Sequence, residues 1–236
     1  DGHHRFETAV AYRDEMRPAH PEAASRAAFN YALALVTSAQ DEGLEIFPTH
    51  RLVSCPGDTA KQAAKTLMRE YFEVHEWPLP DPASLGQQPW LEGIAADRHV
   101  FGAFSGDGKY YVLIARDDML PRQRSVVDRL DVSVLHHYLV DPLLSGPDAA
   151  PDVEGRISHD SDLGCPGARL TYVTDEQHAI AAVERGDYDL ALFLRPTRVA
   201  DVIAAARAGE RMPGKSTYFY PKAPAGIVIS DASAEP

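Results

Sequence analysis

With 236 residues, 44% of them apolar and 25% charged, the chain is long enough to bury a substantial core as one large domain or two small ones, and disorder is not its default state. Its 23 basic and 35 acidic side chains leave a net charge of −12, which repels a phosphate backbone and sets nucleic acid aside as a partner unless a local basic patch supplies the contact. No apolar run approaches the ~20 residues that a membrane span requires: Tyr31-Ala32-Leu33-Ala34-Leu35-Val36 already stops at Thr37. Two cysteines, Cys55 and Cys165, are too few for a disulfide framework and too far apart for a C-x-x-C pair, which points to a reducing compartment and so to the cytoplasm. The chain opens on a dense polar motif at Asp1 with no initiator methionine and no apolar lead-in, an opening that predicts a preceding segment, the N-terminal part being missing here.

In chain order, Phe6 to Met16 reads as helix. Asn30 to Val36 reads as a strand, Asp41-Glu42-Gly43 as a turn and Leu44 to Phe47 as a short returning strand that delivers Thr49-His50-Arg51 to a strand end. Ala60 to Tyr71 has helical character. The proline-rich stretch from Trp77 to Pro89 predicts a connection, which divides the chain into a region over 1–76, a connection over 77–90 and a C-terminal α/β region over 91–236. Val100 to Phe104 and Tyr110 to Ala115 flank Gly106-Asp107-Gly108, a hairpin signal because glycine takes the positive φ such turns demand. Asp131 to Leu144 carries Val134, Leu135, Tyr138 and Leu139 at helical spacing, with Pro142 disturbing its end. Ser145 to Gly167 reads as loop.

Thr174-Asp175-Glu176-Gln177 resembles a capping box ahead of a helix that Gly186 closes, Leu190 to Leu194 is a buried strand, and Thr197 caps a second helix that ends at Gly209. Strands and helices mix without a regular repeat, so the expected fold is α+β, mixed sheets with packed helices, rather than a doubly wound sheet.

Asp1-Gly2-His3-His4-Arg5 gathers a carboxylate, a flexible residue, two imidazoles and a guanidinium ahead of a helix. That arrangement suits an anion: helix N–H groups and glycine allow close approach, and arginine grips two phosphate oxygens at once. A capping and salt-bridge pair of Asp1 with Arg5 is the structural alternative, and a zinc set of Asp1, His3, His4 and His50 is a third reading without the i, i+4 spacing that would support it. Glu7 is either a capping residue or a site carboxylate. Arg51 taken alone reads as a partner for a core carboxylate, Cys55 as an inert buried thiol, and one of His136 and His137 as a satisfied core histidine.

Between Arg195 and Lys222 the chain holds six basic residues and two acids, a local excess that suits phosphate. Gly209 to Thr217 formally matches G-x-x-x-x-G-K-S-T, but a P-loop needs a strand before it and a helix after it, and here the order is reversed. Ser216 to Tyr220 reads as a strand that Pro221 ends. Lys215 and Lys222 flank it.

Asp1 to Thr8, Pro48-Thr49-His50-Arg51-Leu52, Leu130 to His136 and Met212 to Lys222 together resemble the bacterial and archaeal family called domain of unknown function 1015, over essentially the whole chain. The Gly2-His3-His4-Arg5 core is also similar to the phosphate-binding box of the ParB and sulfiredoxin superfamily, closest in form to its free-serine kinase branch; His3 stands in the region where sulfiredoxin carries its reactive cysteine. The resemblance implies a ParB/sulfiredoxin-like site region and a nucleotide-dependent kinase for the hydroxyl of a small metabolite, free L-serine leading, with ATP or another nucleotide and Mg²⁺ as cofactors. It implies His3, His4 and Glu7 as catalytic residues. Asp1, Gly2, Arg5, His50, Arg51, Lys215, Ser216, Thr217 and Lys222 would bind the nucleotide, and no protein metal site is implied. The alternative is a nucleotide-binding regulator of the ParB type, with CTP or ATP and slow or no hydrolysis.

Overall fold

Leu190-Ala191-Leu192-Phe193 and Val100-Phe101-Gly102-Ala103-Phe104 carry apolar residues at both parities, and such a strand is stable only inside a sheet covered on both faces. The computed structural model, which describes residues 2–22, 27–55, 59–80, 98–118, 120, 125–144, 167–222, 224 and 226–228, places both runs there. In chain order the elements are α1 (His3–Ala19), β1 (Glu45–Phe47), β2 (His50–Ser54), α2 (Thr59–Tyr71), β3 (Phe72–Trp77), β4 (Val100–Phe104), β5 (Tyr110–Ala115), α3 (Asp131–Leu135), a π-helical segment His136–Val140, and α4 (Asp141–Leu144). β6 (Arg169–Val173), α5 (Glu176–Glu184), β7 (Leu190–Phe193), α6 (Val199–Arg207) and β8 (Tyr218–Tyr220) complete them. Helices and a sheet whose registered neighbours are antiparallel make the fold α+β, as the sequence predicts.

The chain forms two units, one of Asp1–Glu45 with Phe219–Pro236 and one of Ile46–Tyr218. The second holds the six-stranded sheet, in the order β3-β5-β4-β7-β2-β6. Alternation along each strand sorts its side chains into two cores. Val53, Phe101, Leu113, Leu190 and Leu192 pack with α2 and the 131–144 segment, while Leu52, Phe104, Val112, Ala191 and Phe193 pack with Ala179, Ile180 and Val183 of α5. Gly106 and Gly108, at φ 74° and 75°, turn β4 into β5. Asp175 caps α5 by accepting the His178 amide at 2.8 Å, one residue later than the capping box predicts. The helix-like run at 131–144 widens into the π segment just ahead of Pro142, whose missing N–H and bulky ring cannot continue an ordinary α-helical ladder.

In the first unit α1 begins at His3, so His3, His4 and Arg5 form its first turn instead of preceding it; Gly2 is its N-cap at φ 86°. Arg17 Nε donates to Asn30 Oδ1 at 3.0 Å, tying α1 to a 3₁₀ turn at Ala28–Asn30. The strand expected over Asn30 to Val36 does not form. Residues 31–38 carry no ladder, and β propensity without a pairing neighbour leaves the backbone irregular. The turn at Asp41 is made, with Asp41 Oδ1 accepting the Gly43 amide at 2.9 Å, but β1 then pairs with β8 rather than closing a hairpin. Among the described residues of this unit none is fully buried.

Cys55, expected to be an inert buried thiol, is buried but disulfide-bonded, which removes the cysteine count as an argument for a reducing compartment. Among the described residues no helix is long and apolar enough to cross a membrane. Residues 81–97 and 145–166, on which most of the expected connection and the expected loop fall, lie outside those described.

The least forgiving backbone position is Gly102. A Cβ there would overlap the Tyr110 hydroxyl and ring, and Tyr110 is itself buried and stacked on Phe193 at 5.4 Å. Gly102→Ala is expected to lower stability by about 1–3 kcal/mol through overpacking. Denaturant unfolding checks this; an unchanged midpoint would show that Tyr110 moves without cost.

Candidate functional site

Thr49-His50-Arg51 enters β2, and strand alternation sends His50 and Arg51 to opposite faces of the sheet. On one face the His50 ring meets Phe193 edge-on at 5.2 Å. Its Nδ1 accepts the Leu194 amide at 3.3 Å, so the proton is on Nε2, a nitrogen 3.8 Å from Glu176 Oε1 that finds no hydrogen-bond partner among the described residues. The Glu176 contact would be an ion pair only if the imidazole were charged. Burial, then the neighbouring Arg51 charge, push its pKa down to about 3 against a weaker pull from Asp175, so His50 is neutral.

On the other face Arg51 is 1% exposed. Its Nη1 donates to Thr49 O, its Nη2 to Lys215 O at 3.2 Å and its Nε to His136 Nε2 at 3.2 Å. The guanidinium lies 5.3 Å from the ring centroid of Tyr172, its cross-strand neighbour. Among the described residues no carboxylate pairs with it, and burial lowers its pKa to about 10, which still leaves it charged at neutral pH. His136 accepts from Arg51, so its Nδ1 holds the proton and donates to Asp141 Oδ1 at 3.2 Å. Arg51, His136 and Asp141 thus form a relay of alternating donors and acceptors.

The loop before β8 is fixed by the same arginine. Lys215 sits at φ 59°, the one positive-φ non-glycine among the described residues, and its carbonyl is held by Arg51 while its side chain is exposed. Ser216 is buried, donates from Oγ to Pro213 O at 2.6 Å and receives Thr197 Oγ1 on its carbonyl at 2.8 Å. That bond spends the Thr197 hydroxyl expected to cap α6, whose N-cap is Arg198. Thr217 is half-buried beside them. α6 precedes this loop and β8 follows, so Gly209 to Thr217 does not make a P-loop.

A second polar cluster surrounds Asp131, at the start of α3. His99 Nδ1 meets Asp131 Oδ1 at 2.8 Å, Arg195 Nε and Nη2 hold the two carboxylate oxygens at 2.9 and 3.2 Å, and Arg195 Nη2 also donates to Arg98 O at 2.7 Å. This is a two-pronged, half-buried charge pair with an imidazole attached. Neither His99 nor Asp131 nor Arg195 stands out by local spacing as a site residue; Asp131 reads only as the start of a helical run and a member of the Leu130 to His136 motif.

The expected site residues therefore fall into two groups. His50, Arg51, Lys215, Ser216 and Thr217 belong to the second unit, where Arg51 joins the Thr49 and Lys215 segments. Gly2, His3, His4, Arg5, Glu7 and Lys222 belong to the first. Asp1 lies outside the described residues. Arg5 is exposed with its guanidinium folded over Gly2, where an added Cβ would lie 3.2 Å from Nη2; Glu7 is half-buried and Lys222 exposed. Among the described residues no three of His, Cys, Asp and Glu gather at one point.

Residues 1–133 match the family described as "Protein of unknown function (DUF1015)". No curated protein matches the chain. Among solved structures, a conserved hypothetical protein from Pyrococcus furiosus is 14% identical at a TM-score of 0.40, covering 78% of this chain and 60% of its own. A free serine kinase in complex with AMP is 12% identical at 0.40, and a mutant of a free serine kinase, also with AMP, 13% identical at 0.41. Each covers 78% of this chain, which spans 57% of theirs.

The neutral, buried His50 has a consequence for acid stability. Its folded pKa of about 3 lies below the ordinary 6.5, so between those values the unfolded chain binds the extra proton; the stability is fully present above pH 6.5 and is lost as pH falls through that window. His50→Asn keeps an acceptor for the Leu194 amide and removes the titration. Its unfolding free energy is expected to fall less steeply than wild type between pH 6.5 and 4, the difference approaching ~1.4 kcal/mol per pH unit. Equal slopes in urea titrations would show that His50 does not carry the effect.

Proposed function

Because the chain belongs to the DUF1015 family, proteins of unknown function, we propose that it is part of a nucleotide-dependent phosphotransferase acting on the hydroxyl of a small metabolite, free L-serine first among them. The observation that carries this reading is Lys215. It is an exposed cation on a left-handed backbone that a non-glycine residue adopts at a cost, fixed through its carbonyl by a buried arginine that no described carboxylate neutralises. Such a loop fixes the backbone from which the ammonium reaches a phosphate and prepays part of its ordering. Phosphoryl transfer asks for little else, since positioned cations supply most of its stabilisation.

In this reading Asp1, Gly2 and Arg5 grip the nucleotide from the box, and Lys222 adds a second charge. His50, Arg51, Ser216 and Thr217 act by shaping the loop and the strand entry. His3, His4 and Glu7 keep the catalytic role that the family resemblance implies, and the His99–Asp131 pair supports a base in the same reaction: its Nδ1 is held, which orients the ring and leaves Nε2 for an acceptor hydroxyl. When bound, Mg²⁺ neutralises the phosphate oxygens. Such ions are held mainly by substrate phosphates, and among the described residues no group of three His, Cys, Asp and Glu would add a protein-built site.

The test is a coupled assay of the full-length protein with ATP, ADP or CTP and Mg²⁺ against a panel of hydroxy amino acids. The reading predicts a phosphorylated acceptor, no turnover without divalent metal, and a loss of about 1.5–3 kcal/mol in nucleotide affinity or transition-state binding for Lys215→Ala, the range for a hydrogen bond to a charged group. Lys222→Ala is expected to cost less and to depend more on salt. Tight nucleotide binding with no phosphorylated acceptor would replace the kinase by a nucleotide-binding regulator. Wild-type behaviour of Lys215→Ala at low and high salt would remove the 212–222 segment from the site.

A further inference from the structure

Within the second unit a separate cavity of about 390 Å³ opens between α2 and the sheet, and it contains none of the residues discussed above as nucleotide ligands. Its floor is apolar, with Val53, Met68, Phe72, Val74, Leu143 and Leu190 among its lining. Its rim is not. Lys61, Lys65 and Arg69 stand one turn apart on the same side of α2, and Arg116 reaches in from the end of β5.

The charges around this rim do not cancel. Lys65 lies 3.6 Å from Asp107, but among the described residues neither Lys61, Arg69 nor Arg116 has a carboxylate partner, and the buried Nε of Arg116 has no hydrogen-bond acceptor. Of the two acids in the lining, Glu76 is paired with Lys109 at 2.8 Å, while Asp189 keeps its charge and accepts the Cys55 amide at 2.7 Å. The Tyr111 hydroxyl donates to Asp107 at 2.6 Å and its pKa is raised to about 12, so it adds no negative charge at neutral pH. An apolar floor inside a rim where four cations face two carboxylates, in a chain whose overall charge is −12, discriminates by sign as well as by shape.

We propose that this cavity is a binding site for a small organic anion with an apolar body, its phosphate or carboxylate lying among Lys61, Arg69 and Arg116 and its body on Phe72, Met68 and Leu190. The volume falls in the lower part of the range for small-molecule sites, which suits a single compact ligand such as a nucleoside monophosphate or a medium-chain carboxylate. The site is independent of the kinase reading: it shares no ligand-binding residue with the box or with the Lys215 loop.

The experiment titrates the full-length protein with the anionic dye anilinonaphthalene sulfonate and, in parallel, with the uncharged phenylnaphthylamine. The expected result is saturable, one-to-one binding of the sulfonate and roughly tenfold weaker binding of the uncharged dye, in line with the loss of charge-assisted contacts. The double variant Lys61→Glu with Arg69→Glu, both exposed positions that leave the core untouched, is expected to weaken the sulfonate about tenfold or more with an unchanged circular dichroism spectrum. Arg69→Lys should retain it. Displacement of the dye by AMP identifies a nucleoside phosphate as the source of the anion, and displacement by octanoate identifies a carboxylate. Equal binding of the two dyes, full binding to the double variant, or displacement by neither competitor overturns the assignment. Loss of dye binding with normal nucleotide turnover separates this site from the kinase reading.

Discussion

A guanidinium removed from water without a counter-ion is costly, and the second unit is organised around one. Arg51 keeps its charge in the interior because three different chain segments turn an acceptor toward it: the Thr49 carbonyl, the Lys215 carbonyl and His136 Nε2, with the Tyr172 ring beneath. Removing any one leaves a buried polar group without a partner, at about 1–3 kcal/mol each. The arginine therefore acts as a junction that locks the entry of β2, the π segment and the loop before β8 into one arrangement, and the strained backbone at Lys215 persists because that junction over-determines it.

The 131–144 segment extends the same logic. Asp131 at its start holds Arg195 and His99, His136 in its widened turn accepts from Arg51, and Asp141 closes the relay. Two imidazoles, each oriented by a carboxylate, thus come from one short stretch or dock onto it. π segments are uncommon and concentrate where side chains must be aimed off the regular helical positions. Here the widening precedes Pro142, so a residue that looks disruptive in the sequence coincides with the place where His136 is aimed.

Local pattern made much of the sheet legible: the buried runs of β4 and β7, the glycine hairpin between β4 and β5, and α2 are all present near their expected bounds. Asn30 to Val36 has strand composition and no strand, because pairing is a property of neighbours and not of the segment. The site was half legible for a similar reason. Arg51 and Lys215 are visible as residue types, but the fact that decides their roles, a hydrogen bond across 164 positions, is not; nor is the contact across 85 positions that makes His136 more than a core histidine. His99 lacked any local signal, since its partner lies 32 residues away. The box at Gly2 to Arg5 was legible as chemistry, while its place across the N-cap and first turn of α1 needed the backbone.

The central claim is that Arg51 fixes the Lys215 loop. Amide hydrogen exchange of the full-length protein and of its Arg51→Met variant tests it most directly, because methionine fills much of the volume and removes the donors. The account predicts that protection falls by about tenfold or more at Lys215 to Thr217 and around His136, while the amides of β4, β5 and β7 keep theirs. Unchanged exchange in the 212–217 loop, with the variant folded, would contradict it.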